Sequence, residues 1–337
     1  MTAPLGTTEV EQEGFNSSGE LIAPRLLGVV GRSPGRLAWA RFKSDKKTVI
    51  AAVVVALTVV FAVLAPILFA AGVIDPLTAH QNLIDDNGLP TGGLGGISWA
   101  HPLGVEPGIG RDTLSRVWYG LAFSLFIAAV ASVLSVVIGV ILGIIAGLSR
   151  GWADTLIGRI VDLVLCFPQT LMLLALSGTL VAYLTGTLHI PAGDPAQATY
   201  VILVLAIFGW PSVCRVVRGQ VLSLREREFI DAAKLFGASN ARLYFREVLP
   251  NLSAPILVQF TLILPAYVSA EAALSYLGIS VKPPTPTLGN ILAGSVQYAS
   301  ADFLYFLTPA LLVVIIVVAF NLLGDGLRDA LDPKSGR

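Results

Sequence analysis

Apolar residues fall in long blocks along this chain, and six blocks are long enough to cross a bilayer. They cover residues 48–71, 121–148, 156–184, 199–217, 252–277 and 303–323. A helix needs about 20 apolar residues to traverse the hydrocarbon core. Lipid offers no partner for backbone N–H and C=O groups, so each block must satisfy its own and is predicted helical. The second and third blocks exceed a minimal span and must tilt, bend or run on beyond the bilayer. Pro168 removes a backbone donor inside the third, which predicts either a kink there or a local packing role. The expected fold is an all-α membrane protein with six transmembrane helices.

The polar segments divide the chain further. Residues 1–42 read as a largely disordered tail, rich in Gly, Ser, Pro and Glu and with little periodicity. Residues 43–118 hold the first span and a long Gly- and Pro-rich segment. Within it, Leu114, Val117, Trp118 and Leu121 recur at helical spacing beside Tyr119, which suggests a short interfacial helix over 111–120. Residues 119–326 form the core, with a polar loop at 222–250, and 327–337 a short tail. Pro283, Pro284 and Pro286 keep the segment before the last span from being helical.

Composition supports a lipid environment. The chain is 55% hydrophobic and 13% charged, against about 25% charged in soluble domains. Its formal net charge is zero, which leaves no basic excess for nucleic acid. Lys and Arg nonetheless alternate between connections. Seven precede the first span, two follow it, Arg150 and Arg159 mark the next turn, and residues 186–198 carry none. Seven more lie from Arg215 to Arg246, Lys282 alone precedes the last span, and Arg328, Lys334 and Arg337 follow it. By the positive-inside rule both termini are cytoplasmic.

The loop at 222–250 is too polar to span and too patterned to be a plain linker. Phe229, Ala232, Ala233 and Phe236 recur at i, i+3, i+4, i+7, one helical face. Gly237 stops that helix, because glycine enters the left-handed conformation without a Cβ penalty. Ser239 can cap a second helix, and Pro250 falls where the chain re-enters the membrane. Small residues at Ala232, Ala233, Gly237 and Ala238 would let another protein approach closely, inside a rim of charges. The pattern alone equally allows a loop folded onto its own membrane end.

Candidate chemistry is sparse. Asp162 sits three residues after Arg159, an i,i+3 pair that needs no function. Glu271, toward the outer end of the fifth span, has no basic neighbour in its own helix. It could meet a charged substrate group, hold the Lys282 loop or bind a partner helix. Cys166 and Cys214, and His80, His101 and His189, have neither metal nor catalytic spacing, so no metal site is expected. The dipeptide Gly-Lys does not occur, so there is no phosphate-binding loop and no ATP hydrolysis is expected of this chain. Intramembrane carboxylates with broken, repeated helices would mark an ion-gradient-driven secondary transporter, and no internal repeat is visible.

The motifs also resemble a known family. Asp231-Ala232-Ala233, then Gly237, then Leu249-Pro250 looks like the EAA signature of permease subunits in binding-protein-dependent ABC importers. Arg227-Glu228-Phe229-Ile230, Gly237-Ala238-Ser239 and Leu249-Pro250-Asn251 are similar to the C-type (OppC/DppC-like) permease of dipeptide and oligopeptide importers. So are His101-Pro102-Leu103-Gly104, residues 110–116, Phe167-Pro168, Glu271 and residues 274–278. Three positions depart from the pattern: Asp231 replaces the leading Glu, Glu247 a histidine and Leu288 a tryptophan.

The resemblance implies a type I importer fold in a bacterial inner membrane. It implies that Glu228, Phe229, Asp231, Ala232, Ala233, Lys234, Phe236, Gly237, Ala238 and Ser239 couple to a cytoplasmic ATPase. Glu271, Tyr276 and Pro168 are candidates for the translocation path. The implied partners are a homologous second permease, two ATPase domains carrying ATP and Mg, an external solute-binding protein and a peptide. Related branches carry nickel or glutathione.

Overall fold

The computed structural model describes residues 34–149 and 151–331. Among these it is all-helical, with six helices long and apolar enough to cross a membrane. Helix α1 (Pro34–Ser44) precedes the first span, α2 (Lys46–Ala70). The other spans are α3 (Thr113–Leu148), α5 (Gln169–Gly186), α6 (Asp194–Leu224), α9 (Ser253–Tyr276) and α11 (Phe303–Leu331). Short helices α4 (Trp152–Cys166), α7 (Glu228–Leu235), α8 (Asn240–Arg242) and α10 (Leu288–Ser295) lie between them.

Several expectations change. Of the tail assigned to 1–42, residues 1–33 lie outside the described residues, whereas 34–44 form α1. Arg150 and residues 332–337, with Lys334 and Arg337, also lie outside them. The third apolar block is two helices and not one bent span. Helix α4 ends at Cys166, Phe167 and Pro168 are extended, and α5 begins after Pro168, its N-cap residue. The proline ring forces its predecessor out of the helical region, which makes a break and not a kink. At 15 residues α4 is about 22 Å long, too short to cross a core of about 30 Å. No separate interfacial helix covers 111–120. Asp112 accepts from the Ser115 amide at 2.7 Å and caps α3, whose first turns carry that helical pattern. Asp162 pairs with Arg215 on α6 at 2.9 Å and not with its helical neighbour Arg159.

The core is built on α3 and α6, the two most buried spans. Both run the same way, and Gly139, Gly143 and Gly147 of α3 face Val213, Val217 and Val221 of α6 in register. A Cβ on those glycines would sit 2.5, 2.8 and 2.6 Å from the three valines. Apolar helices gain no hydrophobic drive from meeting in lipid, so close backbone packing at small residues holds them together. Tyr267 of α9 locks onto the pair. Its hydroxyl lies 2.7 Å from Ser135 Oγ of α3 and donates to the Leu205 carbonyl of α6 at 2.9 Å. Helix α11 then packs on α9 and α2.

Residues 71–112 form a turn-rich cap closed by ion pairs. Arg111 donates to both oxygens of Glu106, at 2.5 and 3.0 Å, and Tyr305 of α11 donates to the same carboxylate at 3.1 Å. Arg116, 1% exposed, donates to the carbonyls of Pro76 and Pro284, both at 3.3 Å. The motif at 110–116 thus ties the cap to α3, α11 and the proline-rich loop.

The zipper makes a direct prediction. Gly143→Leu must push α3 off α6, at an overpacking cost of about 1–3 kcal/mol. Its unfolding temperature in detergent should fall, while Gly158→Ala, within α4 and where a Cβ meets nothing within 4 Å, should not lower it. Equal unfolding temperatures for both variants and the parent would contradict this packing.

Candidate functional site

The loop after α6 is held by one apolar anchor and an arginine. Ile230 is fully buried in a cluster with Val136, Val140 and Ile144 of α3 and Val213, Val217 and Val221 of α6. Arg225 donates to the Gly147 carbonyl at 3.0 Å and so satisfies an orphan acceptor at the end of α3. Arg218 of α6 grips Asp154 of α4 through both oxygens, at 2.6 and 2.9 Å. That guanidinium holds the Asp154 carboxyl below the usual carboxylate range.

The expected apolar face of α7 points elsewhere. Phe229 is 41% exposed and Phe236 91%, with Leu235 beside it at 88%, and Ala232 and Ala233 are half-buried. Burying a large apolar side chain stabilises by roughly 2 kcal/mol, and this chain forgoes most of that twice in succession. Charges ring the face. Asp231 and Lys234 pair at 3.1 Å, and Glu228 begins the helix, where an acidic residue suits the helix dipole.

Gly237 ends α7 with φ +75°. The Ala238 amide donates to the Ala233 carbonyl at 3.0 Å and the Gly237 amide to Lys234 at 2.9 Å. This pair of bonds is the Schellman arrangement, with glycine at its left-handed position. Nothing lies within 4 Å of where a Gly237 Cβ would point, so backbone conformation, not crowding within the chain, requires glycine. Ser239 accepts from the Arg242 amide at 3.3 Å and caps α8.

The second helix does not stop at the membrane. From α8 the chain runs through a π-helical turn at Leu243–Val248 and a 3-10 turn at Leu249–Leu252 into α9. Pro250 has no amide for the regular ladder and its ring crowds the preceding turn, so a widened turn is the local solution. The loop is therefore one short anchored helix, a glycine corner and a continuous helix back into the bundle.

The three path candidates lie apart. Glu271 is fully buried and accepts from the hydroxyls of Ser124, Ser275 and Ser280, each at 2.9 Å. Ser124 in turn accepts from the Leu288 amide at 3.0 Å, so the carboxylate joins α3, α9 and the loop before α10. The side chain of Lys282 is exposed, and its amide donates to Gln197. Tyr276 is 67% exposed in an apolar groove with Leu292, Phe306 and Val313. Pro168 sits at the α4–α5 break. Residues that sequence reasoning missed are Ile230, Arg225, Arg218 and Leu235. Ile230 was visible as an isoleucine set among charges at 226–231.

A family profile described as "Binding-protein-dependent transport system inner membrane component" matches residues 139–337, which include the whole loop. The chain belongs to this family of transport permeases. A second profile, "N-terminal TM domain of oligopeptide transport permease C", matches residues 33–87 of the permease. It is 35% identical to the dipeptide transport system permease protein DppC of Alkalihalophilus pseudofirmus over 302 residues, 90% of each chain. It is 38% identical to the glutathione transport system permease protein GsiD of Shigella flexneri over 307 residues, 90% of this chain and 91% of the relative. Its fold matches a chain of the inward-facing MetNI methionine ABC transporter with a TM-score of 0.50 and 21% identity. That match covers 65% of the permease and 96% of the other chain. The resemblance read from the sequence therefore holds, and the permease is a multi-pass inner-membrane protein of the type I importer fold.

Gly237 holds a left-handed backbone that a β-branched residue cannot adopt without strain. Gly237→Val places a β-branched residue in the left-handed region, at a cost of at least about 1 kcal/mol. Membrane insertion should survive, and ATPase stimulation by a loaded binding protein should fall in the reconstituted transporter. Parental stimulation in the variant would show that the corner has no part in coupling.

Proposed function

We propose that this permease forms half of the translocation pathway of an ATP-driven ABC importer for short peptides. The observation that carries the reading is the outward apolar face Phe229, Leu235 and Phe236, stopped by Gly237 and ringed by charge. Such a face on a rigid helix fits a cleft in a cytoplasmic ATPase. ATP and Mg belong to that partner, and this chain contributes no catalytic group. The Lys- and Arg-rich segments, including this loop, put both termini and the dock in the cytoplasm.

A homologous second permease completes the path. Helix α5 is the least buried of the six spans and the least apolar. Gln169, Thr170, Ser177, Thr179 and Thr185 lie along it. The least buried and least apolar span, carrying these hydroxyls and an amide, suits a face shared with a second subunit around a wet path. The substrate class comes from the relatives named for dipeptide and glutathione transport, since glutathione is itself a small peptide. An external solute-binding protein delivers that substrate. ATP binding closes the motors, the dock moves with them, and the spans exchange outward for inward access. Each ligand must favour one of the two states for this coupling to work.

Uptake by vesicles holding the whole complex tests the energy source. Peptide accumulation should require ATP on the dock side and survive ionophores that collapse proton and sodium gradients. Accumulation that persists without ATP and disappears with the ionophore would instead make the permease part of an ion-coupled transporter.

A further inference from the structure

Helix α1 has a face that the transport reading does not use. Arg36, Trp39 and Lys43 recur at i, i+3, i+7 and so share one side. Trp39 is 58% exposed. Its ring stacks on Phe42 at 5.5 Å, and Lys43 Nζ sits 5.0 Å from its centre. The back of α1 rests on α2 and α11. Lys46 and Lys47, both exposed, follow at once in α2. Asp45 is the one carboxylate in residues 34–47, and it is committed to the α2 cap through the Lys47 and Thr48 amides.

Position decides what meets this face. A single residue, Asp45, separates α1 from the spanning helix α2. All 11 residues of α1 therefore lie within about 16 Å of the membrane surface. An exposed tryptophan at that level belongs among headgroups, and cations beside it meet lipid phosphates. We propose that the Arg36–Trp39–Lys43 face of α1, with Lys46 and Lys47, is a binding site for anionic phospholipid headgroups that seats this end of α2 and α11 on the bilayer. The site depends on α2 crossing the membrane and not on the identity of the transported substrate.

A benzophenone side chain at position 39 reports the neighbour directly. The assembled transporter is placed in phosphatidylcholine vesicles containing a minority of phosphatidylglycerol, irradiated, and its adducts identified by mass. Phosphatidylglycerol should be enriched in the adducts over its share of the bilayer, by up to on the order of fivefold per engaged cation. The enrichment should vanish with Arg36→Gln, Lys43→Gln, Lys46→Gln and Lys47→Gln together. It should also vanish in about 1 M salt, where screening acts within about 3 Å, an arm that keeps every native charge. Adducts in bulk lipid proportion, or adducts to a protein subunit in place of lipid, would overturn the proposal.

Discussion

Gly139, Gly143 and Gly147 bring the backbone of α3 against Val213, Val217 and Val221 of α6, and both helices run the same way. In water that contact would be one apolar seam among several. In lipid it has a larger role, because close van der Waals approach replaces hydrophobic drive. The other elements lean on it. Tyr267 hydrogen-bonds to both helices from α9, and Arg218 near the C-terminal end of α6 holds α4 through Asp154. The same apolar cluster that contains the three valines also receives Ile230 of the loop, with Val248 and Leu252 from the re-entering chain.

That last contact links architecture to the proposed coupling. A dock that hung from a flexible linker could be moved without moving the spans. Here α7 is pinned through Ile230 into the α3–α6 seam and its flank through Arg225 onto the end of α3. On the proposed coupling role, a displacement of α7 would reach the two most buried spans through these contacts. Its other side stays open, with Leu235 and Phe236 almost wholly exposed. One helix thus carries an inward anchor and an outward apolar face. Gly237, with φ +75°, lets the chain turn back at once after α7.

Much of this was legible before the structure. Span number followed from block length, since lipid leaves no alternative to helix. The glycine stop, the Ser239 cap and the apolar set at 229–236 were visible from local rules that depend on few neighbours. What escaped was tertiary. Pro168 gave only a choice between kink and packing, because local rules do not say whether the bundle keeps the two halves in line. Asp162 had a plausible partner in its own helix, yet Arg215 on α6 is the one it meets. Glu271 left a substrate charge, the Lys282 loop and a partner helix open, and its hydrogen bonds from three serines of α3, α9 and a loop were not foreseen. The glycine spacing at 139, 143 and 147 lay in plain view, but only α6 gives it meaning.

Solvent access at position 236 tests the central claim most directly. With Phe236→Cys as the single thiol, after Cys166→Ser and Cys214→Ala, a membrane-impermeant maleimide can be applied to either face of the membrane. The account predicts rapid labelling from the cytoplasmic face when the ATPase subunits are stripped away, and protection when they are bound. Labelling from the outer face, or equal cytoplasmic labelling with and without the ATPases, would contradict a dock at α7.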